Sequence, residues 1–324
     1  MEELARHGAD GAIIAWCTAG EVSEDHVDHQ FHLQQQYPGI FGIRAQARTY
    51  PLLFRIVPEQ EVELVKQEYA RWQALNIIVL SEDELLPEFK RYPKMRGWRK
   101  QQLVKIAIAD KVANEFYLTL DADVVCLKPL TEQQLIVDGK ALLQYELRAQ
   151  HPKWWRSSAR LLGISPDIGP EGVGMTVTPA LMSRTISQQL MQQLTPKAAN
   201  QNWVDMLCSL HNPSDPRNWW IGRYLKLKWT EYSLYYLCAL KLDMLHKFHV
   251  IAGTETVPQL LLIHDSHPYE HWQVADSFAA ENPGLFCVVG SKTRLPPKQV
   301  FERLSPFIQR QPDPSLPLVF EQAH

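Results

Sequence analysis

Hydrophobic positions in the first 120 residues fall into short runs separated by longer polar stretches. Ile13-Ile14-Ala15-Trp16 reads as a first strand, closed by the turn Cys17-Thr18-Ala19-Gly20. Phe54-Arg55-Ile56-Val57 stops at Pro58, and Ile77-Ile78-Val79-Leu80 and Phe116-Tyr117-Leu118-Thr119-Leu120 follow. Short apolar runs bounded by turn or polar signals are the pattern of buried strands. The polar residues between them read as helices: 21–36, with His26, His29 and His32 in series; Pro58 to about Leu75, with proline suited to the first turn; and Trp98 to Val112. Strand and helix in alternation predict a mainly parallel sheet covered on both faces.

Beyond residue 130 the pattern is less regular. Ala141–Leu147 and Gly172–Thr178 read as strands, and Pro179 as the start of a helix reaching about Leu194. Thr230 caps a helix to about Leu245, Leu260–Ile263 and Phe286–Val289 are short strands, and 297–309 is helical. No repeat or linker divides the chain. The expectation is one domain over 1–310 and an extended tail over 311–324.

Composition adds mostly exclusions. Hydrophobic residues at 45% and charged ones at 21% are ordinary for a globular chain, and a net charge of −3 gives no nucleic-acid footprint. The basic cluster Lys90, Arg91, Lys94, Arg96, Arg99 and Lys100 is local and reads as loop charge, compatible with peripheral contact to a membrane-bound acceptor. Five scattered cysteines without a Cys-x-x-Cys motif read as reduced core residues. No apolar run reaches the roughly 18 residues of a spanning helix, and no leader pattern opens the chain, so the cytoplasm is expected.

Chemistry enters with Asp121-Ala122-Asp123. Two carboxylates follow a buried strand, at the end where open α/β sheets place ligands, and their hard oxygens suit a divalent cation that shares its shell with phosphate. On the helix before them, Leu103, Val104, Ala107, Ile108 and Val112 form the apolar face. Trp98, Gln101 and Lys105 lie opposite, with Gln102 beside them. This stripe is either solvated or a nucleotide-diphosphate cradle in which the lysine meets phosphate as a point charge. Gly172 and Gly174 mark either a bulge or the close approach of a ligand. Glu231, behind the cap Thr230, suits a helix start and is also a candidate acceptor-binding carboxylate or general base. His264 ends an expected strand as Asp121 does and is a candidate metal ligand, with His267 nearby. The run Leu120–Val125 also fits the nucleophile motif of haloacid-dehalogenase-type phosphatases, but it falls late in the chain and no second acidic pair follows. A non-catalytic sugar- or nucleotide-binding module is the remaining alternative.

Taken together, these segments resemble a GT-A-fold glycosyltransferase, most of all a little-characterised bacterial group of unknown function. The resemblance is carried by Gly97-Trp98-x-x-Gln101-Gln102-x-x-Lys105 and by Leu120-Asp121-Ala122-Asp123-Val124-Val125 with Pro129. Trp229-Thr230-Glu231-Tyr232-Ser233-Leu234-Tyr235 and Val288-Val289-Gly290-Ser291-Lys292-Thr293 with Pro296-Pro297 complete it. It implies a GT-A-like, Rossmann-type sheet, a nucleotide-diphosphate sugar donor, and a glycan or glycolipid acceptor of a surface polysaccharide pathway. It implies Mn²⁺ or Mg²⁺ held by Asp121 and Asp123, with His264 as a further ligand. Thr18, Trp98, Gln101, Gln102, Lys105, Gly172 and Gly174 would face the donor, and Glu231 would serve the acceptor.

Overall fold

The computed structural model describes residues 13–17, 53–70, 77–121, 124–128, 130–196, 201–212, 228–263, 275, 278, 284–289 and 297–307. The strands, in chain order, are β1 (Ile13–Cys17), β2 (Leu53–Val57), β3 (Ile77–Ser81), β4 (Phe116–Leu120), β5 (Val124–Cys126) and β6 (Ile136–Val137). They continue as β7 (Lys140–Leu143), β8 (Tyr145–Leu147), β9 (Val173–Met175), β10 (Ala180–Ser183), β11 (His249–Ile251) and β12 (Phe286–Val288). The longer helices are α1 (Val62–Tyr69), α2 (Gly97–Ala107), α3 (Pro152–Leu162), α4 (Arg184–Leu194), α5 (Trp203–Ser209), α6 (Glu231–Lys241) and α7 (Pro297–Leu304).

The central sheet has the order β10-β4-β1-β2-β3. β1, β2, β3 and β4 run parallel, and β10 joins β4 antiparallel. The protein is therefore α/β with a mainly parallel sheet flanked by helices, as expected. The order reverses between β1, which continues to β2, and β4, reached from the other side. Crevices at such reversals, outside the carboxyl ends of the strands, are where open α/β sheets bind ligands. β1 ends at Cys17 and β4 at Leu120, with Trp16 registered against Leu120.

Alternation along β4 separates two cores. Tyr117 packs with α2, α4 and α6, whereas Leu118 and Leu120 pack with β5, β7 and β12. β10 repeats the division, with Ala180 and Met182 on the first side and Leu181 on the second. Both faces of the strand are buried, so its sequence is a continuous apolar run and not an alternating one.

Three element expectations are corrected. Residues 180–183 form a strand, because β4 offers an open edge that their backbone completes; the helix starts only at Arg184, where Ser183 Oγ accepts from Ile186 N at 3.1 Å. Ala141–Leu147 is two strands, split at Gln144, with β7 against β11 and β8 against β9. The same glutamine replaces the strand expected at Leu260–Ile263. Its Oε1 accepts from the backbone N–H of Leu261 and of Leu262, each at 2.9 Å, and its Nε2 donates to Leu262 O at 3.1 Å. A side chain thus takes backbone groups that a ladder would have used, and Leu262 keeps one isolated bridge, to Phe286. The expected helix at 21–36 and tail at 311–324 lie outside the described residues.

Candidate active site

Tyr117, Thr119 and Asp121 are alternate positions, so they share the face of β4 that looks toward α2 and α6. Tyr117 Oη donates to Lys105 O at 3.0 Å, and Thr119 Oγ1 lies 3.0 Å from Tyr232 Oη. Asp121 is the next position in that row and the first beyond the strand. Its Oδ1 accepts from Gln101 Nε2 at 2.7 Å and lies 2.5 Å from Lys105 Nζ. Its backbone N–H donates to Thr178 Oγ1 at 3.0 Å. The two side-chain contacts fall on one carboxylate oxygen, and Oδ2 has no partner among the described residues.

Helix α6 supplies the facing acid. Thr230 caps it, with Oγ1 accepting from Ser233 N at 3.1 Å and Ser233 Oγ accepting from Thr230 N at 3.1 Å. That cap fixes the first turn, where Glu231 Oε1 lies 3.0 Å from Lys105 Nζ. The Lys105 side chain is only 2% exposed, and the Tyr232 ring centroid is 5.0 Å from its ammonium. One buried cation is thus shared by two carboxylates from opposite elements. Loss of solvation opposes its charge, but Asp121, Tyr232 and Glu231 outweigh that and hold its pKa well above the ordinary lysine value. Burial raises the Glu231 pKa; Lys105 opposes the rise and the nearby Asp121 charge adds to it.

The rim is aromatic and cationic. Trp98 is 48% exposed, and the Arg99 guanidinium lies 4.6 Å from its ring centroid and 4.9 Å from that of buried Trp229. Arg99 also donates to Trp229 O at 2.8 Å. Burial pushes its pKa down to about 10, against the attraction of Glu231. In the sequence Arg99 sits within a basic cluster and reads as loop charge. The structure turns it inward beside the site, and its neighbour Trp98 was the only available signal.

The expected site residues are thus distributed unevenly. Gln101, Lys105, Asp121 and Glu231 meet in one cluster. Gln102 is buried beside it, donating to Trp98 O at 3.3 Å, and its Oε1 has no partner among the described residues. Gly172 sits in the turn before β9 at φ 68°, a left-handed backbone that favours glycine, with open space where a side chain would be. Gly174 has its own explanation: a Cβ there would lie 2.3 Å from two ring carbons of Trp155, so an indole, not a ligand, requires its absence. Thr18, Asp123, His264 and His267 lie outside the described residues. Among the described residues no group of three His, Cys, Asp or Glu side chains could hold a metal ion. Thr178, which tethers the backbone of Asp121, is a site residue that sequence reading missed.

The profile of the Family of unknown function (DUF6492) matches residues 44–311. The chain belongs to that family. No curated protein sequence matches it. Among solved structures it is similar to mouse xyloside xylosyltransferase 1 in its apo form, at 12% identity over 88% of this chain and 100% of that one, with a TM-score of 0.45. It is also similar to the galactosyltransferase LgtC in complex with donor and acceptor sugar analogs, at 8% identity over 93% and 98%, with a TM-score of 0.41. Among the described residues no helix is long and apolar enough to cross a membrane.

Proposed function

We propose that this DUF6492 member is a glycosyltransferase that moves a sugar from a nucleotide-diphosphate donor to a glycan or glycolipid acceptor. The observation that carries the reading is the Lys105–Asp121–Glu231 cluster, placed just beyond β4 at the reversal of strand order. A transferase of this kind must present fixed charge to a diphosphate leaving group in a site that excludes water. Lys105 and Gln101 hold one oxygen of Asp121 and leave the other directed at the ligand. In this role Lys105 is a positioning residue, since its ammonium is engaged by two carboxylates.

That free oxygen is a hard donor suited to Mn²⁺ or Mg²⁺, with Asp123 and His264 as the proposed further ligands; a cation there supplies charge neutralisation at the diphosphate. Arg99 adds positive charge from the protein itself, and the exposed Trp98 ring offers an apolar face on which a sugar packs. Thr18, following β1, and Gln102 complete the donor side in this reading. Cys126, Cys208, Cys238 and Cys287 are buried cysteines, which accords with a reducing, cytoplasmic setting.

Thermal shift with UDP and GDP, each with and without Mn²⁺, tests the reading. A rise in Tm that needs the metal and is lost in Asp121→Asn is expected. A folded protein that binds no nucleoside diphosphate under any of these conditions overturns it. Turnover of p-nitrophenyl phosphate dependent on Asp121 replaces it with a phosphatase.

A further inference from the structure

A third carboxyl stands on the hairpin whose second chain continues to Thr178. Glu146 on β8 is registered against Gly174 on β9, so the two positions share one face of the hairpin. The second chain stays paired as far as Thr176, whose N–H donates to Gln144 O at 2.9 Å, and then leaves the strand. Thr178 then grips the backbone of Asp121. The segment that meets the Glu146 carboxylate through Thr176 and the Val177 N–H is thus the one that reaches Asp121 through Thr178.

Glu146 is half-buried, and one of its two carboxylate oxygens is unpaired. Its Oε1 is buried and has no partner among the described residues, and neither has the indole N–H of Trp155, packed under Gly174. One orphan acceptor and one orphan donor flank the same hairpin. Buried polar groups are hydrogen-bonded as a rule, so the unpaired Glu146 oxygen calls for a donor, as a sugar hydroxyl is. Burial lifts the Glu146 carboxyl to about 7, against the Val177 N–H and Thr176 hydroxyl that favour its ionised form. Among the described residues, the surrounding titratable groups add no charge that shifts it. Tyr236 on α6 is neutral, its pKa raised by burial, and the Arg148 guanidinium is held by the carbonyls of Val173, Pro166 and Ile168. Glu171, at the turn into β9, is exposed. Glu231 has no such freedom, being enclosed with Lys105.

We propose that Glu146 receives the acceptor and takes its proton. This rests on the glycosyltransferase reading. The acceptor hydroxyl gives its proton to the Glu146 carboxylate while its oxygen bonds to the anomeric carbon of the donor sugar. The bond from that carbon to the diphosphate oxygen breaks, and its electron pair leaves with the nucleoside diphosphate. Glu231 then remains the counter-charge of Lys105.

The test measures nucleoside-diphosphate release from a panel of UDP- and GDP-sugars with Mn²⁺, with methyl glycosides as acceptors, across pH 5–9. Glu146→Gln is expected to lower kcat/KM by about 100-fold or more and to remove a rising limb near pH 7. Its UDP or GDP affinity, read by calorimetry, is expected to match the wild type. Glu146→Asp is expected to retain the limb at a reduced rate, which a purely structural role does not predict. Unchanged rate and limb in Glu146→Gln overturn the inference and leave glycosyl transfer standing. Lost nucleotide affinity in Glu146→Gln, or unfolding of both variants, overturns it in favour of a structural role. A wild type that binds no nucleotide, or turns over no donor, removes the reaction and the inference with it.

Discussion

The ammonium of Lys105 lies 2.5 Å from Oδ1 of Asp121, and the two residues reach each other from a helix and from the end of a strand. Without Asp121 and Glu231 the lysine could not stay charged at that depth, and without Lys105 two carboxylates would face each other with no cation between them.

Lys105→Met should therefore destabilise the protein by about 3–5 kcal/mol, the usual result of leaving one side of a buried ion pair. Adding Glu231→Gln should recover part of that loss, because the deepest uncompensated charge is then gone. Urea unfolding of the two variants and the wild type measures both effects. A Lys105→Met loss below about 1 kcal/mol contradicts the buried pairing.

Gly174→Ala brings a methyl to 2.3 Å from the ring of Trp155. Overpacking of this kind typically costs about 1–3 kcal/mol. Trp155→Phe in the same chain shortens the ring and should return some stability. Equal melting temperatures for Gly174→Ala and the wild type would refute the packing explanation.

His249 makes stability depend on acid. It is fully buried, Nε2 lying 2.7 Å from Tyr235 Oη and Nδ1 3.2 Å from Ala141 O, and burial lowers its pKa to about 4 from the usual 6.5. The folded state then binds fewer protons than the unfolded state between these values. This contribution is whole above pH 6.5 and declines as pH falls toward 4, by roughly 3 kcal/mol in total at about 1.4 kcal/mol per unit. In His249→Gln, the difference in Tm between pH 7 and pH 5 should shrink, whatever the absolute values.

Trp98→Ala separates binding from stability. The ring is half-exposed and its stacking on Arg99 is worth about 0.5–1 kcal/mol, so the Tm should move little. If Trp98 packs a sugar, the KM for donor or acceptor rises several-fold with kcat less affected. An unchanged KM for both confines the residue to the surface.

The parallel strands and Asp121 were legible in the sequence because their signal is local: an apolar run and the acid that ends it. The cluster was legible only through the family resemblance, because Lys105, Asp121 and Glu231 come from distant segments and each has an ordinary local reading. Lysine on the polar side of a helix reads as solvated, and glutamate in a first turn reads as dipole chemistry. One clue was present: Tyr117, Thr119 and Asp121 have the same parity, which already aims the acid at the helices and away from the second core. Gln144 carried no such clue. A polar residue inside an apolar run does not announce that its side chain will replace a strand elsewhere.

The sharing of Lys105 also sets an order of events during synthesis. Its second partner, Glu231, is made 126 residues later, and β10, which closes the open edge of β4, also comes after the first four strands. At about 5–20 residues per second, the 110 residues from Asp121 to Glu231 leave the lysine with Asp121 alone for roughly 5–22 s. A nascent chain truncated before residue 231 carries the ligand-facing aspartate without the acid that closes the pocket behind it.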